Sequence, residues 1–193
     1  MAVLVDEAMR DCIAAYVESL RAAMGPAARH VRWVDPAQYH FTLRFLGDLD
    51  EQARQRVFDA AGEACSAARR FRLSTGAVGA FPSLERPRVL WIGVEPPEAA
   101  RRLVELAAHL EQALVARGLG PADKPFSAHL TLGRLRDGAP GQGVAAALGE
   151  RRPPAACGSM VVREVTVMAS TLTARGPIHT PLFSAPIRAG RDE

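Results

Sequence analysis

The predicted elements in the second half of the chain repeat the order found in the first half, and this repetition restricts the possible folds. Apolar residues recur at helical spacing over residues 7–24, 50–68 and 97–117. Segments rich in β-favouring residues predict strands at 2–5, 30–34, 40–46, 71–80, 88–94, 129–135, 160–172 and 178–187. Because several of these strands are joined by short hairpin turns, we predict an α+β fold with mainly antiparallel sheets.

The composition is that of an ordinary globular protein with a mild positive charge. Of the 193 residues, 48% are hydrophobic and 23% are charged, which is enough apolar material for a core. The net charge of +3 suits an anionic ligand but lacks the dense basic stripe of a duplex-DNA binder. Residues 137–158 are rich in glycine, proline and alanine and predict a surface insertion with at most a short helix.

We expect neither a membrane span nor a secretory signal. No apolar run reaches the roughly 18 to 20 residues that a span needs, and the first six residues are apolar and then acidic. Cys12, Cys65 and Cys157 form no CxxC pair and suggest no disulfide framework. We therefore expect a monomeric protein of the cytoplasm with no membrane contact.

One short motif occurs in both halves of the chain. His40-Phe-Thr-Leu43 recurs as His129-Leu-Thr-Leu132, each time within a predicted strand. Side chains alternate along a strand, so in each copy the histidine and threonine share one face and the two apolar residues share the other. Each strand is therefore expected to bury its apolar edge and to present a histidine–threonine pair to a groove.

Two such pairs facing one groove suit phosphoester chemistry. Imidazole has an unperturbed pKa of about 6.5, so one ring can be neutral while the other is protonated. A neutral base and a charged acid together support concerted proton transfer. The hydroxyls of Thr42 and Thr131 can hold phosphate oxygens and stabilise the charge that develops on them.

Other interpretations of the two motifs are weaker. A single His-x-Thr in a strand is usually structural, but two copies at matching places in two similar halves favour a functional pair. Zinc normally requires three or four protein ligands, and neither strand brings a carboxylate or cysteine to complete such a set. A G-x-S-x-G nucleophile elbow is absent, and no cysteine has an activating context. We expect no metal and no cofactor.

Four sequence blocks, in order, resemble the 2H phosphoesterase superfamily, which is named for its two His-x-Thr motifs. The similarity is closest to the bacterial and archaeal RNA 2′,3′-cyclic phosphodiesterases, once called 2′-5′ RNA ligases, and it covers nearly the whole chain. The blocks are His40–Gly47, Gly79–Pro82 followed by Arg86–Trp91, Lys124–Arg134 and Ser170–Pro177. The resemblance implies a single domain over residues 1–193, made of two duplicated, pseudo-symmetric lobes whose sheets flank a central groove, with the helices outside.

The resemblance also implies an activity: metal-independent opening of a terminal 2′,3′-cyclic phosphate on RNA to leave a 2′-phosphate. In that scheme His129 accepts a proton from the attacking water, and His40 donates one to the departing 3′ oxygen. Thr42 and Thr131 bind phosphate oxygens, and Arg134 adds positive charge. Because the two halves are so alike, the sequence leaves open which histidine is the acid and which the base.

Two arginines are candidates for binding the phosphate. Strict alternation turns Arg134 away from Thr131, so a role for Arg134 requires a bend or bulge in its strand. Arg44 lies on the same predicted face as His40 and Thr42, which makes it the second candidate; the alternative is a solvated strand arginine.

Three positions depart from the family pattern. Met1-Ala2 stands where the first strand usually carries an aromatic residue, and Ala128 stands where a proline commonly precedes the second histidine. His179 occupies the place of a frequent tyrosine in the closing strand. A hydrogen bond near the groove and an ordinary surface position are both open for His179.

The expected partner is RNA with a 2′,3′-cyclic phosphate end, and tRNA-derived ends are among the candidates. Two alternatives stay open. The same site can run in reverse and ligate RNA ends through a 2′-5′ linkage, or the chain can be a non-catalytic RNA-binding module that keeps the fold.

Overall fold

The computed structural model describes residues 1–138, 144, 146–148, 158–173 and 176–189. Its three long helices are α1 (Glu7–Met24), α2 (Glu51–Ala67) and α3 (Pro97–Ala116). Two short 3-10 helices cover Gly25–His30 and Pro36–Gln38. The strands are β1 (Ala2–Leu4), β2 (Val31–Trp33), β3 (His40–Thr42), β4 (Phe71–Pro82), β5 (Pro87–Glu95), β6 (His129–Leu135), β7 (Ser159–Val162), β8 (Glu164–Thr173) and β9 (Gly176–Pro186).

The first two long helices begin at aspartate caps. The side chain of Asp6 accepts a hydrogen bond from the backbone N–H of Met9 at 2.9 Å, and Asp50 accepts one from Ala53 at 2.7 Å. Each cap satisfies a backbone donor that the helix itself leaves unpaired. Helix α1 ends at Gly25, which has a φ of 52° that glycine adopts without steric cost. The predicted helices therefore form close to their predicted limits.

All nine strands of the described residues join one antiparallel sheet. Along the sheet the order is β7-β4-β5-β6-β3-β1-β8-β9, and β2 also pairs with β6. The two strands that carry the His-x-Thr motifs, β3 and β6, are neighbours near its centre. The predicted α+β class with mainly antiparallel pairing is confirmed. The flanking parts of the sheet are continuous through this central pair of strands.

The core lies on one face of this sheet. Alternate residues of the central strands are completely buried there together with the apolar sides of the long helices. This arrangement removes large apolar side chains from water, each worth about 1.5–3 kcal/mol. The largest buried members from the sheet and from α3 are Phe41, Leu73, Leu90, Ile92, Leu130, Leu103, Leu106, Leu110 and Leu114.

Two strand predictions differ from the structure. The strand predicted over residues 40–46 ends at Thr42, because the next two backbone N–H groups both donate to the carbonyl of Met1, beyond the end of β1. The strand predicted over 160–172 is two strands interrupted at Arg163. Strand β7 pairs with β4 on one side of the molecule, while β8 pairs with β1 and β9.

The cysteines also differ from expectation. Cys65 is a free, buried thiol, but Cys12 is disulfide-bonded, although the sequence suggested no disulfide. The predicted insertion over 137–158 lies mostly outside the described residues, as do residues 174 and 175 of the predicted last turn. Within the described part of the chain, no helix is long and apolar enough to cross a membrane.

Strand β6 contains a β-bulge, and Gly133 beside it allows β2 to pack closely. Thr131 lies opposite Trp91 of β5, but Gly133 lies opposite the adjacent Leu90, so β6 holds one extra residue between these pairs. Strand β2 passes close to the bulge. A Cβ added to Gly133 would stand 2.6 Å from the Cγ1 of Val31, which is itself 4% exposed and cannot move aside.

Replacing this glycine tests the packing of β2 against the bulge. We expect Gly133→Ala to lower the free energy of unfolding by about 1–3 kcal/mol, because the added methyl overpacks a filled space. The matched control is Gly62→Ala in α2, where a Cβ would meet nothing within 4 Å. That control should stabilise the protein by up to about 1 kcal/mol. Denaturant unfolding measures both, and an unchanged stability for Gly133→Ala would mean that β2 leaves room for a methyl group at this position.

Candidate active site

The site is built on the register between β3 and β6. Phe41 lies directly opposite Leu130 in an antiparallel pair, and both side chains are completely buried on the core face. Their neighbours along each strand therefore point to the other face, away from the core. The antiparallel register places each histidine opposite the threonine of the other motif. The resulting pairs are His40 with Thr131, and Thr42 with His129.

The four motif residues thus form a compact square on the open face of the sheet. Diagonal neighbours in an antiparallel pair have Cβ atoms roughly 7–8 Å apart, and the two histidines are such neighbours. A phosphate group fits between two imidazoles at this separation, with one ring on each side. The structure brings the two histidines and two threonines of the sequence prediction together.

Both imidazole rings are held in the same way. The Nδ1 of His40 lies 2.8 Å from the carbonyl oxygen of Gln38, and the Nδ1 of His129 lies 2.8 Å from that of Ser127. A carbonyl can only accept a hydrogen bond, so Nδ1 must carry the proton in each ring. The Nε2 atom of each ring is left to exchange a proton with a ligand: it accepts when the ring is neutral and donates when it is charged.

Burial lowers the pKa of both histidines. For His40 the loss of solvent is the main cause, the bonded carbonyl opposes it, and the neighbouring His179 adds a smaller lowering. For His129 burial is again the main cause, its bonded carbonyl opposes it, and the charge of Arg134 lowers the pKa further. Both rings therefore favour the neutral form in the free protein, and a bound phosphate anion would favour protonation of one of them.

Each histidine also has a ring packed edge-on against it. The ring of Phe81 lies 4.9 Å from that of His129 at an interplanar angle of 86°. The ring of His179 lies 4.9 Å from that of His40 at 78°. Edge-to-face contact is a favoured aromatic geometry and limits the rotation of each imidazole. The two packing residues come from two long hairpins, β4–β5 and β8–β9. These hairpins flank the seam, which is the line along which β3 and β6 pair.

His179 belongs to the site rather than to the general surface. Its Nδ1 lies 2.8 Å from the Oγ of Ser170, and its backbone N–H donates to the Oε1 of Gln38 at 2.8 Å. Gln38 therefore links the two histidines, because its carbonyl contacts the imidazole of His40 and its side chain contacts the backbone N–H of His179. No sequence signal pointed to Gln38, because its role depends on a contact with a residue 141 positions away in the chain.

The bulge in β6 turns Arg134 towards the site. Thr131 lies opposite Trp91, and Arg134 lies opposite Val89, two residues along β5 on the same face. Arg134 therefore shares the open face with Thr131, although three positions separate them. The sequence required such a bulge for Arg134 to reach a phosphate, and the strand contains one. Its charge is near enough to lower the pKa of His129.

The other candidate arginine is occupied elsewhere. The guanidinium of Arg44 forms an ion pair with Glu111 at 3.3 Å and donates to the carbonyl of Gly120 at 2.6 Å. Strand β3 ends at Thr42, so the alternation that placed Arg44 on the face of His40 does not continue to it. Substrate binding by Arg44 stays a prediction.

An aromatic surface lies beside His129. The indole of Trp91 extends over Gly79, where an added Cβ would stand 2.4 Å from the ring, and it lies 5.3 Å from the ring of Phe81. On the other side of the seam, Ala2 of β1 lies opposite Thr42, just as Trp91 of β5 lies opposite Thr131. The first strand therefore lacks an aromatic residue at this position, as its sequence indicated, whereas a flat apolar surface borders His129.

The described part of the chain contains no set of side chains suited to binding a metal ion. Within the described residues, no cluster of three or more histidine, cysteine, aspartate or glutamate side chains is arranged to hold an ion. The histidines of the seam have threonines as their nearest polar neighbours across the strands, and threonine hydroxyls are poor ligands for zinc.

Comparison with known proteins agrees with this geometry. The family model described as "LigT like Phosphoesterase" matches residues 5–91 and again residues 92–179. An RNA 2′,3′-cyclic phosphodiesterase of Methanothermobacter thermautotrophicus is 32% identical over 94% of this chain and 94% of its own length. A protein of the same description from Thermus thermophilus is 32% identical over 91% of this chain and 89% of its own length.

Solved structures show the same fold. E. coli LigT complexed with 3′-AMP has a TM-score of 0.73 at 26% identity, covering 96% of this chain and 95% of that chain. The same protein complexed with phosphate has a TM-score of 0.71 at 25% identity, covering 97% and 95%. Fold and seam together define a two-lobed phosphoesterase. The chain belongs to the LigT-like phosphoesterase family, within the 2H phosphoesterases.

Proposed function

We propose that this protein hydrolyses the 2′,3′-cyclic phosphate at the 3′ end of RNA to a 2′-phosphomonoester, with His40 and His129 as acid and base. The observation that carries the proposal is the diagonal pair of imidazoles, each with Nδ1 bound to a carbonyl and Nε2 left to exchange a proton. The names of the relatives, RNA 2′,3′-cyclic phosphodiesterases, support the choice of substrate.

The reaction divides between the two sides of the seam. Water attacks the phosphorus from one side while the bond to the 3′ oxygen breaks on the other, so a base and an acid are needed on opposite sides. The Nε2 of His129 accepts a proton from the water, and the Nε2 of His40 donates one to the 3′ oxygen. The bond to the 2′ oxygen remains, which leaves a 2′-phosphate and a free 3′ hydroxyl.

The charges around the two rings support this assignment of roles. Burial and the charge of the nearby Arg134, a side chain that is always protonated, lower the pKa of His129 and so favour its neutral form. The ring beside His40 is another imidazole, His179, whose own pKa is lowered. Besides burial, His179 and the N-terminal amine of Met1 lower the pKa of His40, but only while they are charged. The pKa of each of these two groups is itself lowered, that of the amine to about 6, so near neutral pH they are mainly uncharged and His40 can take up a proton when an anionic phosphate binds. These conditions suit a base at His129 and an acid at His40.

The remaining site residues stabilise the phosphate. Thr42 and Thr131 lie beside the histidines on the open face, and their hydroxyls donate to the non-bridging oxygens. Arg134 supplies two parallel N–H donors and a full positive charge as negative charge builds up in the transition state. This set needs no metal and no cofactor.

We further propose that residues 1–193 act as one domain of two duplicated lobes, as a monomer in the cytoplasm. The two separate matches of the family model, one to each half, support the duplication. RNA ends left by cleavage, including those derived from tRNA, have the required chemistry.

The two histidines can be tested by substitution on an oligoribonucleotide that ends in a 2′,3′-cyclic phosphate. We expect His40→Ala and His129→Ala each to lower kcat by about 10²–10⁴-fold, since each removes one proton transfer. The double variant should lose little more than the worse single variant, because the two residues act in one step. His109→Ala, on the exposed side of α3, is the control and should leave the rate unchanged.

Product analysis completes this experiment. Phosphorus NMR of the products should show a 2′-phosphomonoester, and the rate should survive a chelator. Full activity in either histidine variant would contradict the paired mechanism. A new 2′-5′ linkage as the main product would show that ligation, rather than hydrolysis, is the reaction of this site.

The pH dependence tests which histidine is the base. A base works only when deprotonated, so its pKa sets the acid limb of a bell-shaped profile of kcat/KM, while the pKa of the acid sets the alkaline limb. Arg134→Gln removes a charge that lowers the pKa of His129, so it should move the acid limb to higher pH. Arg88→Gln, whose arginine pairs with Asp137, is the control and should move neither limb. Movement of the alkaline limb instead would make His129 the acid.

A further inference from the structure

The seam of the site continues beyond the two histidine–threonine pairs into a third pair of side chains. After β3, the same edge of β6 pairs with β2, where Trp33 lies opposite Gly133 and Arg32 lies opposite Arg134. The neighbouring Val31 is 4% exposed and faces the core, so Arg32 points to the opposite, open face. Along one face the rows are therefore Thr42 with His129, His40 with Thr131, and Arg32 with Arg134.

Folding alone does not account for the row of two arginines. Both side chains are exposed, and neither forms an ion pair or a hydrogen bond among the residues that the structure describes. Two like charges directly opposite each other in an antiparallel pair destabilise the sheet. Many other arginines of the chain have a carboxylate partner, as Arg44 has Glu111 and Arg117 has Glu63. An anion placed between Arg32 and Arg134 would supply the missing counter-charge.

The spacing of the rows indicates which anion this is. Allowing for the bulge, the arginine row lies about two strand residues, or roughly 7 Å, from the row of His40 and Thr131. This is about the step between successive phosphates of an extended single strand. A nucleotide whose cyclic phosphate lies between the histidines would carry its 5′ phosphate towards the arginines. Guanidinium groups bind phosphate through two parallel hydrogen bonds, which suits them to this position.

We propose that Arg32, together with Arg134, binds the phosphate on the 5′ side of the nucleotide that carries the cyclic phosphate. This inference rests on the proposed function and extends it: the preferred substrate is the end of an RNA chain, and a nucleoside 2′,3′-cyclic phosphate without a 5′ phosphate is a poor one. Arg134 lies between the two phosphates, whereas Arg32 contacts only the second. Arg32 is thus a residue for substrate specificity, and it takes no part in the proton transfers.

The test compares a nucleoside 2′,3′-cyclic phosphate with a dinucleotide of the same cyclic end, which adds this phosphate and the nucleoside attached to it. Arg32→Gln should lower kcat/KM for the dinucleotide by about tenfold or more, the effect of losing one charge-assisted contact. It should leave kcat/KM for the nucleoside substrate unchanged. Arg102→Gln, on the exposed side of α3, removes the same charge away from the seam and should change neither value.

Two further measurements separate binding by Arg32 from a structural role. The KM for the dinucleotide should depend less on salt concentration in Arg32→Gln than in the wild type, because one screened charge–charge contact is lost. The melting temperature should stay the same or rise, because the substitution relieves a like-charge pair. A lower melting temperature with equal losses on both substrates would mean that Arg32 supports the fold, and the inference would be wrong.

Failure of the inference can be told from failure of the proposed function. If the wild-type protein cleaves both substrates and Arg32→Gln cleaves them equally well, the function stands and the role of Arg32 is refuted. If the wild type cleaves neither, titration with a nucleoside 2′,5′-bisphosphate and with a nucleoside 2′-phosphate replaces the rate measurement. Weaker binding of the bisphosphate alone by Arg32→Gln supports the inference, and equal binding of both by wild type and variant overturns it.

Discussion

The pairing of Phe41 with Leu130 is the constraint on which the site depends. These two buried side chains fix the register of the strands that carry the motifs, and the register places each histidine opposite a threonine. A slip of one residue in either strand would turn its histidine and threonine into the core and its apolar residues into the groove. The free energy of burying the apolar residues therefore specifies the arrangement of the polar ones.

The two halves of the site hold their imidazoles in the same way and differ in the residues around them. Each imidazole donates from Nδ1 to the carbonyl two residues earlier and has a second ring packed edge-on. An aromatic surface and Arg134 lie on the side of His129, whereas His179 and Ser170 lie on the side of His40. A symmetric pair of imidazoles would not distinguish the attacking water from the departing 3′ oxygen. We propose that the unequal surroundings give the two rings their different roles as acid and base.

Much of this could be predicted from the sequence, because it depends on local periodicity. The helix limits follow from apolar spacing and aspartate caps, and the shared face of histidine and threonine follows from strand alternation. What the sequence could not provide depends on the partner strand. Alternation failed at Arg44, because β3 ends at Thr42, and at Arg134, because β6 contains a bulge. Gln38 carried no local signal, since its contact lies far along the chain.

The central claim is that one phosphate lies between two imidazoles that both act through Nε2. A crystal structure of the protein bound to a nucleoside 2′-phosphate, the product of the proposed reaction, tests it directly. The account predicts phosphate oxygens within hydrogen-bond distance, about 2.7–3.2 Å, of the Nε2 atoms of both His40 and His129, with each Nδ1 still bound to its carbonyl. A phosphate that contacts only one of the two rings, or that displaces a carbonyl from Nδ1, would contradict it.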